Sequence, residues 1–269
     1  SSVEINIETE TETEQVQRRT RTDDEPDEPQ TPEPTPTGAD RLDSARQYLN
    51  ESIDAYTDIE GVRSVGDVGA SATAFDPKAV RKKLSKATTA LDEAKQSPDV
   101  DEQAIATLRT ARGAIDNLVT CQVAVIDAYE QFDETVTSLF DEEFGTARST
   151  LSKLELKRSQ ASDTLDSFTR ETAAADFEPV DGVSSGAYSR KTDQFTSEIT
   201  GFEEVQDPLS RFSDGLETFV DGVDEYVGKN YRTAERDLLS SLNGFEISST
   251  KFIGVEKPNS YGDEINGVK

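Results

Sequence analysis

Between Asp101 and Phe140, apolar residues recur at steps of three or four. The series is Ile105, Leu108, Ala111, Ile115, Leu118, then the polar Gln122, then Ile126, Tyr129, Phe132, Val136 and Leu139. That spacing lays one stripe along an α-helix and does not suit a strand, whose faces alternate every second residue. Roughly 36 residues at about 1.5 Å each make a rod of about 54 Å. So long a rod exceeds an ordinary globular helix, and other helices must cover its stripe from end to end.

The flanking sequence supplies the cover. After a short turn near Asp141 to Gly145, the period resumes with Phe144, Ala147, Leu151, Leu154, Ala161, Leu165 and Phe168, broken only by Arg158, to about Ala174. So tight a turn forces two long helices antiparallel, and the hairpin 101–174 is the expected spine. Upstream, a first helix is expected after Gly38 with Asp40 as its cap, burying Leu42, Ala45, Leu49, Ile53, Tyr56 and Ile59. Gly61, Gly66 and Gly69 mark a loop, and Asp76-Pro77 starts a second helix with a cap and a proline at its first position. Downstream, Phe177 to Gly186 reads as loop, and Tyr188, Phe195, Ile199 and Phe202 as a fifth helix. Asp207-Pro208 predicts a break or kink. Leu209, Phe212, Leu216, Phe219, Val223 and Tyr226 follow, Gly228 closes that helix, and a last one runs from Asn230 through Phe245. The fold class expected is all-α: an elongated antiparallel helical bundle over residues 41–254, with a frayed tail over 255–269.

Residues 1–40 differ in kind. They carry 12 acidic and 3 basic residues and five of the chain's ten prolines. Like charges, prolines and few apolar side chains bury too little surface to offset ordering entropy, so a disordered acidic Thr/Pro/Glu tether is expected. Only Val3, Ile5 and Ile7 alternate as a short strand would.

Over 269 residues the net charge is −27, with no His, Met or Trp and a single Cys. Such a surface repels itself at about 0.15 M salt, where screening reaches about 8 Å, and is relieved near 1 M, where it reaches about 3 Å. It also excludes nucleic acid as a partner, because phosphates require a basic face. The single Cys121 allows no internal disulfide. The absence of His removes a Ser-His-Asp relay, His-assisted thiol chemistry and zinc ligation by His. There is no Gly-rich phosphate loop, and the acidic pairs Glu142-Glu143 and Glu203-Glu204 lack the pattern of a calcium loop. No catalytic residue, cofactor or metal is therefore expected. The basic run Arg81, Lys82, Lys83 and Lys86 is expected to pair locally with Asp92, Glu93 and neighbouring acids.

Two resemblances add to this reading. The tail, with its Thr-Glu repeats and the run EPDEPQTPEPTPT, and the acid-rich composition resemble haloarchaeal secreted or lipid-anchored surface proteins. That likeness implies a processed chain held outside the cell, touching the membrane only through an upstream anchor. Gly222, Tyr226, Asn230-Tyr231, Ala234, Leu238 and Ser241 resemble one tetratricopeptide hairpin over 209–245, although Thr218 stands where a bulky residue is expected. It implies two helices brought close by small residues. Asn50-Glu51-Ser52 is a formal glycosylation acceptor, but it lies inside a predicted helix.

The function expected is a non-enzymatic protein-interaction module on a tether; the alternative is a structural subunit of a surface layer or filament. Among 12 Phe and 7 Tyr, five fall between residues 208 and 245: Phe212, Phe219, Tyr226, Tyr231 and Phe245. They are the candidate binding residues for a protein or peptide partner, provided that some remain exposed in one patch.

Overall fold

A three-residue turn joins two long helices at the centre of the chain, as the apolar stripe requires. The computed structural model describes residues 36–268; residues 1–35 of the expected tether, its short strand included, lie outside the described residues, and Gly38–Asp40 belong to the first helix. Among the described residues there are seven α-helices and no strand: α1 (Gly38–Tyr56), α2 (Pro77–Ala94), α3 (Glu102–Phe140), α4 (Phe144–Glu171), α5 (Ser185–Val227), α6 (Tyr231–Ile253) and α7 (Gly262–Val268). α3 has 39 residues, about 58 Å of rod, and buries nearly every member of the predicted stripe, Gln122 included.

The helix starts follow their sequence signals. Asp76 accepts from the backbone N–H groups of Lys78 (2.9 Å) and Ala79 (3.2 Å), with Pro77 at the first position. Asp101 caps α3 in the same way, on Gln103 and Ala104. At the first helix the cap lies three residues earlier than expected: Thr37 is the cap, and Asp40 closes a capping box by accepting from the Thr37 N–H at 2.8 Å.

Two expectations are corrected. The break allowed for at Pro208 does not occur, and α5 is continuous through it. The proline removes one intrahelical bond, but its ring is buried beside the fully buried Leu209, and Ser248 of α6 donates to its carbonyl at 2.8 Å. The chain beyond Gly254 is not frayed: Val255, Tyr261 and Ile265 are buried and α7 is formed there. The glycine loop after α1 turns inward. Val65, Val68 and Ala70 are buried among the helices, so its main chain must find partners inside the protein.

Both tight turns place a non-glycine residue in the left-handed region, Glu142 (φ 59°) after α3 and Lys229 (φ 67°) after α5. Gly228, which precedes the second of these, has φ −71° and only caps the helix.

Candidate functional site

The α5–α6 hairpin is built on a seam of small residues. A Cβ on Gly222 would stand 3.0 Å from Leu238 Cγ, one on Gly215 would stand 3.0 Å from the Phe245 ring, and one on Gly244 would stand 3.4 Å from Gly215 Cα. Ala234, Ser241 and Ser248 are buried along the same seam. When small residues fill the line of contact, the backbones approach closely and the large side chains are left on the flanks. Phe219 is 43% exposed, Tyr226 60%, Tyr231 58%, Leu239 60% and Leu242 55%, with Val223 and Val227 beside them. Tyr226 and Tyr231 meet edge to face across the turn, ring centroids 5.5 Å apart. With Ala234, Glu235 and Leu238 they line a groove of about 470 Å³ that Leu239 and Leu242 extend along α6.

Of the five aromatics singled out in the sequence, Phe219, Tyr226 and Tyr231 stand at this surface. Phe212 and Phe245 are half-buried under it, their rings 5.7 Å apart. Leu239 and Leu242 are site residues that sequence reasoning missed. The available signal was Leu238-Leu239 followed by Leu242, more apolar residues than one stripe on a two-helix hairpin can cover.

A second cluster lies at the centre of the bundle, where the buried loop crosses α3 and α5. The ammonium of Lys191, essentially inaccessible to solvent, donates to the Val68 carbonyl, to Gln122 Oε1 (2.7 Å) and to Gln194 Oε1 (3.2 Å). Gln122 in turn donates to the Gly69 carbonyl at 3.0 Å and accepts from the Tyr56 hydroxyl at 2.8 Å. Glu198 Oε1 accepts from the Ala70 N–H at 2.9 Å, from Ser260 Oγ at 2.6 Å and from Gln194 Nε2 at 3.1 Å. Each group thus supplies what one buried main-chain atom of the loop needs, which is the physical reason for a lysine and a glutamate in an apolar core.

Burial sets the protonation of this cluster. It lowers the Lys191 ammonium to about 7, against a smaller opposing pull from Glu198, and it raises the Glu198 carboxyl. Phe195 and Tyr56 cover Lys191, their ring centroids 4.3 and 5.8 Å from Nζ. Cys121 is fully buried beside it, its thiol pushed up to about 12, so it holds its proton and offers no thiolate. An open cleft of about 550 Å³ adjoins the cluster, lined by Asp67, Arg190, Asp193, Ser197 and Asn259 among others. Lys191 itself lies behind this surface, whereas Gln194, Glu198 and Ser260 of the cluster line the cleft, and Glu198 Oε2 is buried without a hydrogen-bond partner among the described residues. The cluster holds the loop in place.

The remaining sequence candidates find ordinary places. Asn50 pairs with Asp181 at both ends of its amide, donating at 2.8 Å to the carboxylate and accepting at 3.0 Å from the N–H. Its amide nitrogen, the atom a glycan would take, is engaged. Of the basic run, Lys83 pairs with Glu51 (2.6 Å), Arg81 with Asp116 (3.5 Å), and Lys86 lies over the Tyr48 ring. The pairing is therefore between helices, with acids on α1 and α3, and not with Asp92 and Glu93 along α2 as expected. Arg158 reaches Glu203 at 3.6 Å, and Glu204 accepts from the Glu256 N–H. Among the described residues, no group of three or more acidic, Cys or His side chains is arranged to hold a metal ion, and no helix is long and apolar enough to cross a membrane. Compared with protein-family models, curated proteins and solved structures, the chain matches none.

Proposed function

We propose that this chain is a non-enzymatic protein-recognition module, presented at the cell surface on the acidic segment that precedes α1, whose working surface is the α5–α6 groove. One observation carries the reading. Phe219, Val223, Tyr226, Val227, Tyr231, Leu239 and Leu242 are all exposed on one hairpin. Water-exposed apolar groups at this density are costly unless a partner covers them, and two parallel rows of them suit an amphipathic helix laid into a groove. The surface location rests on composition, on the charge of −27 and the proline-rich acidic tail.

The test is a selection of helical peptides from a random library on the immobilised full chain, counter-selected against the triple variant Tyr226→Ala, Leu239→Gln, Leu242→Gln. These side chains are exposed, so the variant should keep its melting temperature, with stability changed by about 0.5 kcal/mol or less. Peptides that bind the parent and ignore the variant support recognition. A selection that yields none removes the proposal. Light scattering across salt and protein concentration tests the alternative: reversible growth into large particles that the triple variant abolishes would instead make the groove a subunit contact of a surface assembly.

A further inference from the structure

The groove's dimensions and its charged setting narrow what it takes. The groove-lining residues on α6 run from Tyr231 to Leu242 and the exposed apolar residues at the end of α5 from Phe219 to Val227, about 17 Å and 12 Å of helix. That length accommodates roughly three turns of a partner helix. The floor is apolar, and among the groove-lining residues Glu235 alone is charged. The two helix segments that build the groove, residues 219–247, carry six acidic residues, Glu235 among them, against the three basic residues Lys229, Arg232 and Arg236. Arg236 is already paired with Asp237 at 2.8 Å. A second copy of this chain would bring −27 against −27, which opposes association wherever screening is incomplete.

Resting on the recognition reading above, we propose that the occupant is a short amphipathic helix of a partner protein, about three turns long, with leucine-type anchors on one face and lysine or arginine along its rim. The apolar face supplies the affinity and the basic rim the selectivity and the rate of encounter.

Three synthetic 18-residue peptides test this, sharing one leucine face and differing only in a rim of Lys, Gln or Glu. Each is labelled and titrated by fluorescence anisotropy against the full chain at 0.15 M and 1 M NaCl, and against Leu239→Gln/Leu242→Gln. At 0.15 M the Lys-rimmed peptide should bind about tenfold or more tighter than the Gln-rimmed one, with the Glu-rimmed one weakest; at 1 M the gap should narrow to about twofold. All binding should be lost in the double variant. Equal binding of the three peptides, dependent on Leu239 and Leu242, overturns the basic rim and leaves the groove standing. Lys-rim binding that the double variant does not weaken is adsorption to an acidic surface and overturns the proposal. No binding by any peptide overturns the groove itself.

Discussion

Tyr261 lies flat against Phe202, ring centroids 4.6 Å apart and planes within 1° of parallel. Its hydroxyl donates to the Glu198 carbonyl, and Phe132 packs 5.5 Å from the same ring. A tyrosine seven residues before the last described position is therefore a central part of the core. Tyr261→Ala should destabilise the chain by about 3–5 kcal/mol, the range for deleting a buried aromatic. Tyr261→Phe should cost about 1 kcal/mol, for the lost hydrogen bond and the carbonyl left unpaired. Urea denaturation measures both; a loss under 1 kcal/mol for the alanine variant would refute the docked C-terminal segment.

Backbone conformation yields an opposed pair. Lys229 is left-handed without being a glycine, so Lys229→Gly should stabilise by about 1 kcal/mol. At Gly201 a methyl group would meet the Tyr261 hydroxyl at 2.5 Å and Pro258 Cγ at 2.9 Å. Gly201→Ala should therefore destabilise by about 1–3 kcal/mol, although alanine is the better helix former. Melting temperatures of the two variants should move in opposite directions.

Lys191 gives a pH dependence of definite sign. Burial holds its folded pKa at about 7, well below the unfolded value of about 10.4. Between those two values the unfolded chain binds more protons at this site than the folded one. The Lys191 contribution to stability therefore rises with pH from about 7 to about 10, by at most about 1.4 kcal/mol per pH unit, and is smallest below pH 7. The difference in unfolding free energy between the parent and Lys191→Met should grow in the parent's favour across that window. A difference that stays flat from pH 7 to 10 would show that the site does not titrate there.

Salt should act on the whole surface. With −27 charges to screen, thermal stability should climb steeply between 0.1 M and molar NaCl, because the screening length falls from about 10 Å to about 3 Å. Calorimetry on the full chain reads this directly, and a flat profile would remove the self-repulsion argument.

The helical skeleton was legible because its signals are local. The α3 stripe, the Asp76-Pro77 start and the Asp141–Gly145 turn each involve residues within a few positions of one another. The outcomes sequence reasoning missed have partners far along the chain. Nothing near Pro208 reveals that Ser248 will bond its carbonyl, and nothing in Asn259-Ser260-Tyr261 reveals Phe202. The central cluster did leave a trace: Tyr188, Lys191, Phe195, Glu198 and Phe202 step by three and four, so a lysine and a glutamate occupy core positions of α5. Gln122 leaves the same trace on α3. At the groove, the aromatic clustering pointed to Tyr226 and Tyr231. Their exposure depends on the small-residue seam, and only packing reveals which side chains such a seam pushes outward.

The bond from Ser71 to the Ser260 carbonyl joins residues 189 positions apart, and that from the Ala70 N–H to Glu198 joins residues 128 apart. Each hairpin, by contrast, connects neighbouring helices through three residues. In kinetic terms the molecule has two tempos. Hairpins governed by local contacts assemble quickly, whereas the loop, Glu198 and the C-terminal segment must wait for a long-range closure whose entropy resists it. Until that closure the lysine and glutamate of α5 remain in water, so the costliest desolvation in the protein falls at the last step of its folding.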